Sequence, residues 1–291
     1  MISADSRIDE AAVPTLSVRQ TFGIAVGFLW REATKIAPRL LLPLVIGGVA
    51  FYFSLDLYLT LLERYLLNPN DRVASVLLGV ATAGLLVTLF MHSVTVASLA
   101  SLGVGREDHG WKFFCVSRRS WRLYAAYLRF LLVCAACLSV VVILQSVLLR
   151  AGAGAWVSPA GELLLVLVFA VLAADIGFLL PAVASANDGG QVVRQSLRLS
   201  WSNTAKLLFI VVVITLLGGG LETAGEIAVW NAGLVPVMNG STPPLALVTA
   251  YRVGLPVMLI VIGVAYVVVT LLATAAAVAA YRQIAPERAS P

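Results

Sequence analysis

Six apolar stretches, each near or above 20 residues, leave this chain few ways to fold. They lie at about residues 40–61, 73–102, 123–149, 163–185, 207–229 and 255–280. A helix of about 20 apolar residues crosses the hydrocarbon core of a bilayer, and inside that core only a helix or a closed barrel satisfies its backbone. The stretches run apolar on all sides, without strand alternation, so the reading is all-α: a polytopic membrane helix bundle with six transmembrane helices. Composition agrees, since only 12% of the 291 residues are charged, about half the share needed to cover a water-facing surface.

Between the spans the pattern changes to amphipathic. Ser17 to Lys35 places Val18, Phe22, Ala25, Val26, Leu29 and Ala33 on one face and Arg19, Gln20, Arg31 and Lys35 largely on the other. Ser17-x-x-Gln20 has the spacing of a capping box. A striped helix of this kind is expected to lie on the membrane surface, over residues 17–37, with Pro38 ending it. Similar segments precede the third and fifth spans, and each of the three carries a tryptophan near the junction (Trp30, Trp121, Trp201). Val18-Arg19-Gln20 parallels Val193-Arg194-Gln195, a weak internal repeat that convergence explains as well as duplication. Pro43 and Pro181 are expected to kink their spans, and Gly218-Gly219-Gly220 to loosen the fifth. Residues 1–16 and 283–291 read as disordered cytoplasmic tails around one membrane domain at 17–282. The N-terminus lacks a basic segment followed by an apolar one, so no cleavable signal peptide is expected.

Orientation follows from the basic residues. Fifteen Arg and Lys fall on the side of the two termini and the 103–122 and 186–206 loops, against four on the other side. That bias predicts both termini in the cytoplasm. With an Arg-rich composition it points to a bacterial inner membrane. All six tryptophans fall at span ends: Trp30, Trp111, Trp121 and Trp201 on one side, Trp156 and Trp230 on the other. They form an aromatic belt.

Ionisable residues inside spans are the first places to look for function. His92, Arg129 and Asp175 sit at similar depth when counted from the cytoplasmic ends of spans two, three and four. An Asp175–Arg129 pair beside His92 would serve a proton, ion or polar-solute step. It would equally serve as a structural pair, with Arg129 reaching to the headgroups. A second set lies toward the outer face: Asp56, Glu222, Glu226 and Arg252, with Glu222 and Glu226 on one helix face. Lys112, Arg118, Arg119 and Arg122 around Trp121 form a basic cluster suited to anionic lipid headgroups. It is too short, and too close to the membrane, to suggest nucleic acid. Cys134-Ala-Ala-Cys137 matches C-x-x-C, but within an apolar span it reads as packing, since redox chemistry needs an accessible thiolate. With His92 and His109 as the chain's two histidines, no metal or other cofactor is expected. Phosphate-loop, nucleophile-elbow and HExxH patterns are absent, so a non-catalytic module is expected. Its partners would be the lipid bilayer with its anionic headgroups, and a protein partner or a second copy of the chain. A small-solute or ion transporter is the alternative.

Pro181, Asp188-Gly189-Gly190 and Gln195-Ser196-Leu197-Arg198-Leu199-Ser200-Trp201, running into an apolar helix, resemble the membrane domain of bacterial glycerophosphodiester phosphodiesterases and their YciC-like relatives. In that family the acidic position is commonly Glu where this chain has Asp188, and Ala is usual where Ser196 stands. The resemblance covers most of the chain in architecture and about twenty residues in pattern. It implies a six-span membrane module without catalytic residues, because the chemistry of those phosphodiesterases belongs to a separate soluble domain.

Overall fold

The computed structural model describes residues 16–67, 73–106, 116–152, 154, 156–186, 191–231 and 244–285. Of the expected tails, 1–16 and 283–291, the part that is described is not a tail: Leu16, Ile284 and Ala285 are buried in the core and α9 runs to Ile284. Residues 1–15 and 286–291, His109, Trp111, Lys112, Cys115, Asp188-Gly189-Gly190 and the loop 232–243 lie outside the described residues. The described chain is helical throughout: α1 (Val18–Arg31), α2 (Ala33–Leu67), α3 (Val73–Val104), α4 (Arg118–Arg150), α5 (Val157–Leu172), a π-helical turn (Ala173–Gly177), α6 (Leu180–Ala186), α7 (Val192–Ser200), a 3-10 turn (Trp201–Asn203), α8 (Thr204–Asn231) and α9 (Pro244–Ile284). Six stretches are long and apolar enough to cross a membrane: Ala33–Arg64, Val76–Val104, Arg118–Arg150, Val157–Ala186, Val192–Asn231 and Gly254–Ile284.

The first helix departs from expectation in two ways. It ends at Glu32, whose backbone (φ −100°, ψ 10°) leaves helical geometry, and α2 then runs on through Pro38 and Pro43. Both prolines cost a ladder hydrogen bond, but the apolar flank leaves the backbone no alternative to helix. Secondly, the apolar stripe of α1 is covered by protein. Ala25 is buried, and Val18, Phe22, Phe28 and Leu29 pack against the core formed with α9, α6 and α8. Val26 and Trp30 stay outside, Trp30 at 86% exposure. Of the expected capping box, half forms: Ser17 Oγ accepts from Gln20 N–H (3.4 Å), while Ser17 N–H donates to Gln283 Oε1 (2.9 Å). A full capping box stands instead at Ser117 and Ser120, at the start of α4. The basic residues Arg118 to Arg122 are thus the first turns of the third crossing helix, not a separate surface segment.

Both described chain ends meet at one end of the bundle, called here the terminal end. Gln283 Nε2 donates to Thr21 Oγ1 (3.0 Å) and Leu16 N–H donates to Asn203 Oδ1 (3.1 Å). The main core lies at that end. It joins Leu16 and Ala25, the last turns of α3, all of α6, the start of α8 and the Ala275–Tyr281 run of α9. Small residues dominate it, which lets helix backbones approach closely where lipid offers no hydrophobic drive for association. Toward the other end, α4 and α5 present Val140, Ile143, Leu163 and Val166 outward, as a lipid-facing surface does.

Gly103 shows how tight the core is. A Cβ there would lie 2.9 Å from Val278 Cγ1 and 3.2 Å from its Cγ2. Gly103→Leu is therefore expected to force α3 and α9 apart at a cost of about 1–3 kcal/mol, read as a lower thermal midpoint in detergent. Gly218 plays a similar part, with a Cβ there meeting Val269 Cγ2 at 2.7 Å. The glycine triplet therefore does not break the fifth span: α8 is continuous, and its glycine brings α9 close.

The fourth span does contain a break. Phe178 N–H donates to Ala173 C=O (2.7 Å), the i to i+5 bond of a π-turn. Pro181 follows. In π register its missing N–H would have served Ile176 C=O. Ser196 of α7 takes that place, donating from Oγ to Ile176 C=O at 2.7 Å, and Ser200 Oγ donates to the carbonyl of Asp175. The packed face of α7 is accordingly Val192, Ser196 and Ser200, with Leu197 and Trp201 turned outward. Gln191 stands at the N-cap position without a side-chain capping bond.

Candidate functional site: a cavity between the second, third and ninth helices

A cavity of about 560 Å³ lies among α2, α3 and α9, within the ~300–1,000 Å³ range of small-molecule sites. Its wall on α2 is Pro43 to Phe51, its floor on α3 is Thr88 to Thr95, and its wall on α9 is Leu259 to Val268. The walls span about nine residues, or roughly 12 Å at 1.5 Å per residue. Glycines make the room. A Cβ at Gly48 or Gly263 would meet nothing within 4 Å. Gly48 on one rim and Ile260, Val264 and Val268 on the other are exposed, so the cavity opens sideways, toward the hydrocarbon layer.

The lining is almost wholly apolar. Thr88 Oγ1 donates to Gly84 C=O (3.0 Å) and lies 3.3 Å from Gly47 C=O, and Thr95 Oγ1 donates to Met91 C=O (3.0 Å). Their protons are thus committed to backbone. The remaining polar feature of the lining is a couple: His92 Nδ1 and Tyr266 Oη are hydrogen-bonded across α3 and α9. The Tyr127 ring lies 5.4 Å from the imidazole, from the α4 side. This arrangement can seat a hydrocarbon chain and offer one hydrogen-bonding point to a hydroxyl, carbonyl or carboxyl group.

The expected layer of His92, Arg129 and Asp175 does not assemble. His92 belongs to the cavity. Arg129 is exposed on α4. Asp175 is 8% exposed and sits at the π-turn, where Thr204 Oγ1 donates to its Oδ1 at 2.6 Å. No ion pair joins Arg129 to Asp175 among the described residues. Similar depth puts residues at one height, but rotation about each helix axis decides which face one another.

The outer set is half assembled. Arg252 Nε lies 3.2 Å from Asp56 Oδ1, not aligned as a hydrogen bond, while its Nη1 donates to Glu63 Oε2 (3.1 Å) and its Nη2 to Thr60 Oγ1 (2.7 Å). This clamp ties the start of α9 to the end of α2. The groups are one-third or more exposed, so the clamp adds little stability. Glu222 and Glu226 stand apart from it on α8, Glu222 exposed and Glu226 partly so. In the basic cluster Arg118 is exposed, whereas Arg119 Nη1 donates to Arg106 C=O (3.0 Å), closing the end of α3. Trp121 packs against Phe90 with the rings tilted by 42° and their centroids 4.5 Å apart. Cys134 is buried and Cys137 half-buried, both as free thiols.

The sequence reading named His92 but missed Tyr266, Gly48, Gly263, Thr204 and Glu63. A glycine or tyrosine within an apolar span is the usable signal for the first three. Ser200 and Thr204 carry none, because hydroxyls in crossing helices commonly bond their own backbone.

These features define a polytopic helical membrane protein with a laterally open internal cavity. Searches of family models, curated proteins and solved structures found no match to the chain.

Proposed function

We propose that the protein is a non-catalytic lipid-organising module of the bacterial inner membrane, both termini cytoplasmic, holding one amphiphile by its hydrocarbon chain in the α2/α3/α9 cavity. The observation that carries this reading is the sideways opening of an apolar cavity whose lining holds one polar couple, His92 hydrogen-bonded to Tyr266. An aqueous solute would need more polar partners and an opening to water. The exposed Arg118, Arg194 and Arg198 at the terminal end supply charge for anionic headgroups on the cytoplasmic leaflet, about 1 kcal/mol per residue. The sequence resemblance to a phosphodiesterase membrane domain that works without its own catalytic residues is in keeping with this role.

Native mass spectrometry of the detergent-extracted protein is the test. Lipid should remain bound at a stoichiometry near one, and Arg118→Gln/Arg194→Gln/Arg198→Gln should shift the bound population away from anionic species. Solute-dependent flux in proteoliposomes without retained lipid would favour the transporter reading instead.

A further inference from the structure

The π-turn Ala173–Gly177 packs against α7 and the start of α8, so that Ser196, Ser200 and Thr204 reach its backbone and the Asp175 side chain. The oxygens gathered there are of one kind. Asp175 contributes its carboxylate and its carbonyl, Ile176 its carbonyl, and Ser196, Ser200 and Thr204 their hydroxyls. No nitrogen or sulfur side chain enters the set. Asp175 is buried, yet no Lys, Arg or His among the described residues lies within ion-pair distance of it. Among the described residues, the one bond made by its carboxylate is the one from Thr204. A buried carboxylate must be paired, coordinated or protonated, and hydroxyl bonds alone leave the negative charge uncancelled.

We propose that this elbow binds one monovalent cation of the size of sodium. Hard oxygen ligands select hard cations. A single carboxylate cancels one positive charge, whereas calcium sites gather several carboxylates. Carbonyls released where membrane helices break are a recurring source of ligands for such ions. Here the carbonyls of Asp175 and Ile176 each accept a serine hydroxyl, and Pro181 leaves the Ile176 carbonyl without a ladder partner in π register. Each hydroxyl now points its proton at a carbonyl or carboxylate oxygen. The protons of Ser200 and Thr204 have other acceptors at hand, Ser196 C=O at 3.0 Å and Trp201 C=O at 3.2 Å, so rotation of these hydroxyls frees their oxygens to face an ion. Binding at this elbow would lock α5, α7 and α8 together, and so would be felt as stability.

Thermal unfolding of the full-length protein in detergent, followed by tryptophan fluorescence, tests this in sodium, potassium or choline chloride at one ionic strength. Sodium should raise the midpoint over choline saturably, by roughly 3–6 °C at tenfold its dissociation constant. Asp175→Asn should abolish the increment. Thr204→Val keeps the shape of the side chain, so it reports even where Asp175→Asn does not fold, and it should lose most of the increment. Equal wild-type midpoints in all three salts overturn the proposal. So does a midpoint that follows pH but not the cation, which would place a proton on Asp175. Full retention of the sodium increment in Thr204→Val removes the ion from this elbow. The cavity variant Gly263→Leu should keep the increment while losing lipid, which separates failure here from failure of the lipid reading.

Discussion

Filling the cavity should empty it of lipid without unfolding the protein. In Gly263→Leu the new side chain projects into the space between α2 and α9, where a Cβ meets nothing within 4 Å. It therefore creates no overpacking of the kind that costs about 1–3 kcal/mol elsewhere, and leucine favours helix over glycine by most of a kcal/mol. The thermal midpoint should hold or rise. The lipid-bound fraction in native mass spectra should fall at least about tenfold, equivalent to 1.4 kcal/mol. Gly48→Leu, from the opposite rim, should do the same. Tyr266→Phe removes the hydroxyl but keeps the wall, so it should change which headgroups are retained and leave the total less affected. Unchanged lipid retention in both glycine variants would show that the lipid sits elsewhere.

The second large effect is expected at the fourth span. Removing both hydroxyls in Ser196→Ala/Ser200→Ala leaves the Ile176 carbonyl without a partner in π register and takes one bond from the Asp175 carbonyl, in a buried site. The first costs about 1–3 kcal/mol and the second about 0.5–1.5 kcal/mol, a large effect for two side chains this small. The cause can be isolated. Pro181→Ala restores the N–H that Ile176 lacks in π register. In the Pro181→Ala background, Ser196→Ala should therefore cost measurably less than in the wild type. A double-mutant cycle read by chemical denaturation in mixed micelles gives the coupling. A coupling near zero would mean that Ser196 acts by packing alone.

How far the sequence carried follows from what each feature depends on. The six crossing helices need only length and apolarity, and these survive any arrangement of neighbours. The α7 segment was legible as an amphipathic helix before the fifth span, but its packed face was not, because that face is made by Val192, Ser196 and Ser200 and not by its large apolar residues. The limit of α1 was not. A proline reads as a stop in water, but Pro38 is followed by a lipid-bound stretch in which helix is the sole low-cost backbone, so the break fell at Glu32 instead. The stripe of α1 was legible as a stripe but not as to its cover, because protein and lipid look alike to an apolar side chain. The π-turn has no compositional signature beyond the proline after it. The cavity depends on three spans far apart in sequence and on glycines whose meaning is the absence of a neighbour. Arg129 and Asp175 show the same limit, since opposite charges at matched depth were not matched in azimuth.

The handshake between Leu16–Thr21 and Asn203–Gln283 has a consequence for how the chain is made. Leu16 is anchored through Asn203 and Ser17 through Gln283, so the first residues of the domain wait for its last ones. Synthesis proceeds at about 5–20 residues per second. For tens of seconds, then, α1 has an apolar flank with no α9 to cover it, and the surrounding membrane or an insertion factor must shelter it. A chain stopped before Gly254 would insert five helices yet leave that flank uncovered. Quality control could recognise such a chain by its unclosed end, even though every span it had made was correctly threaded.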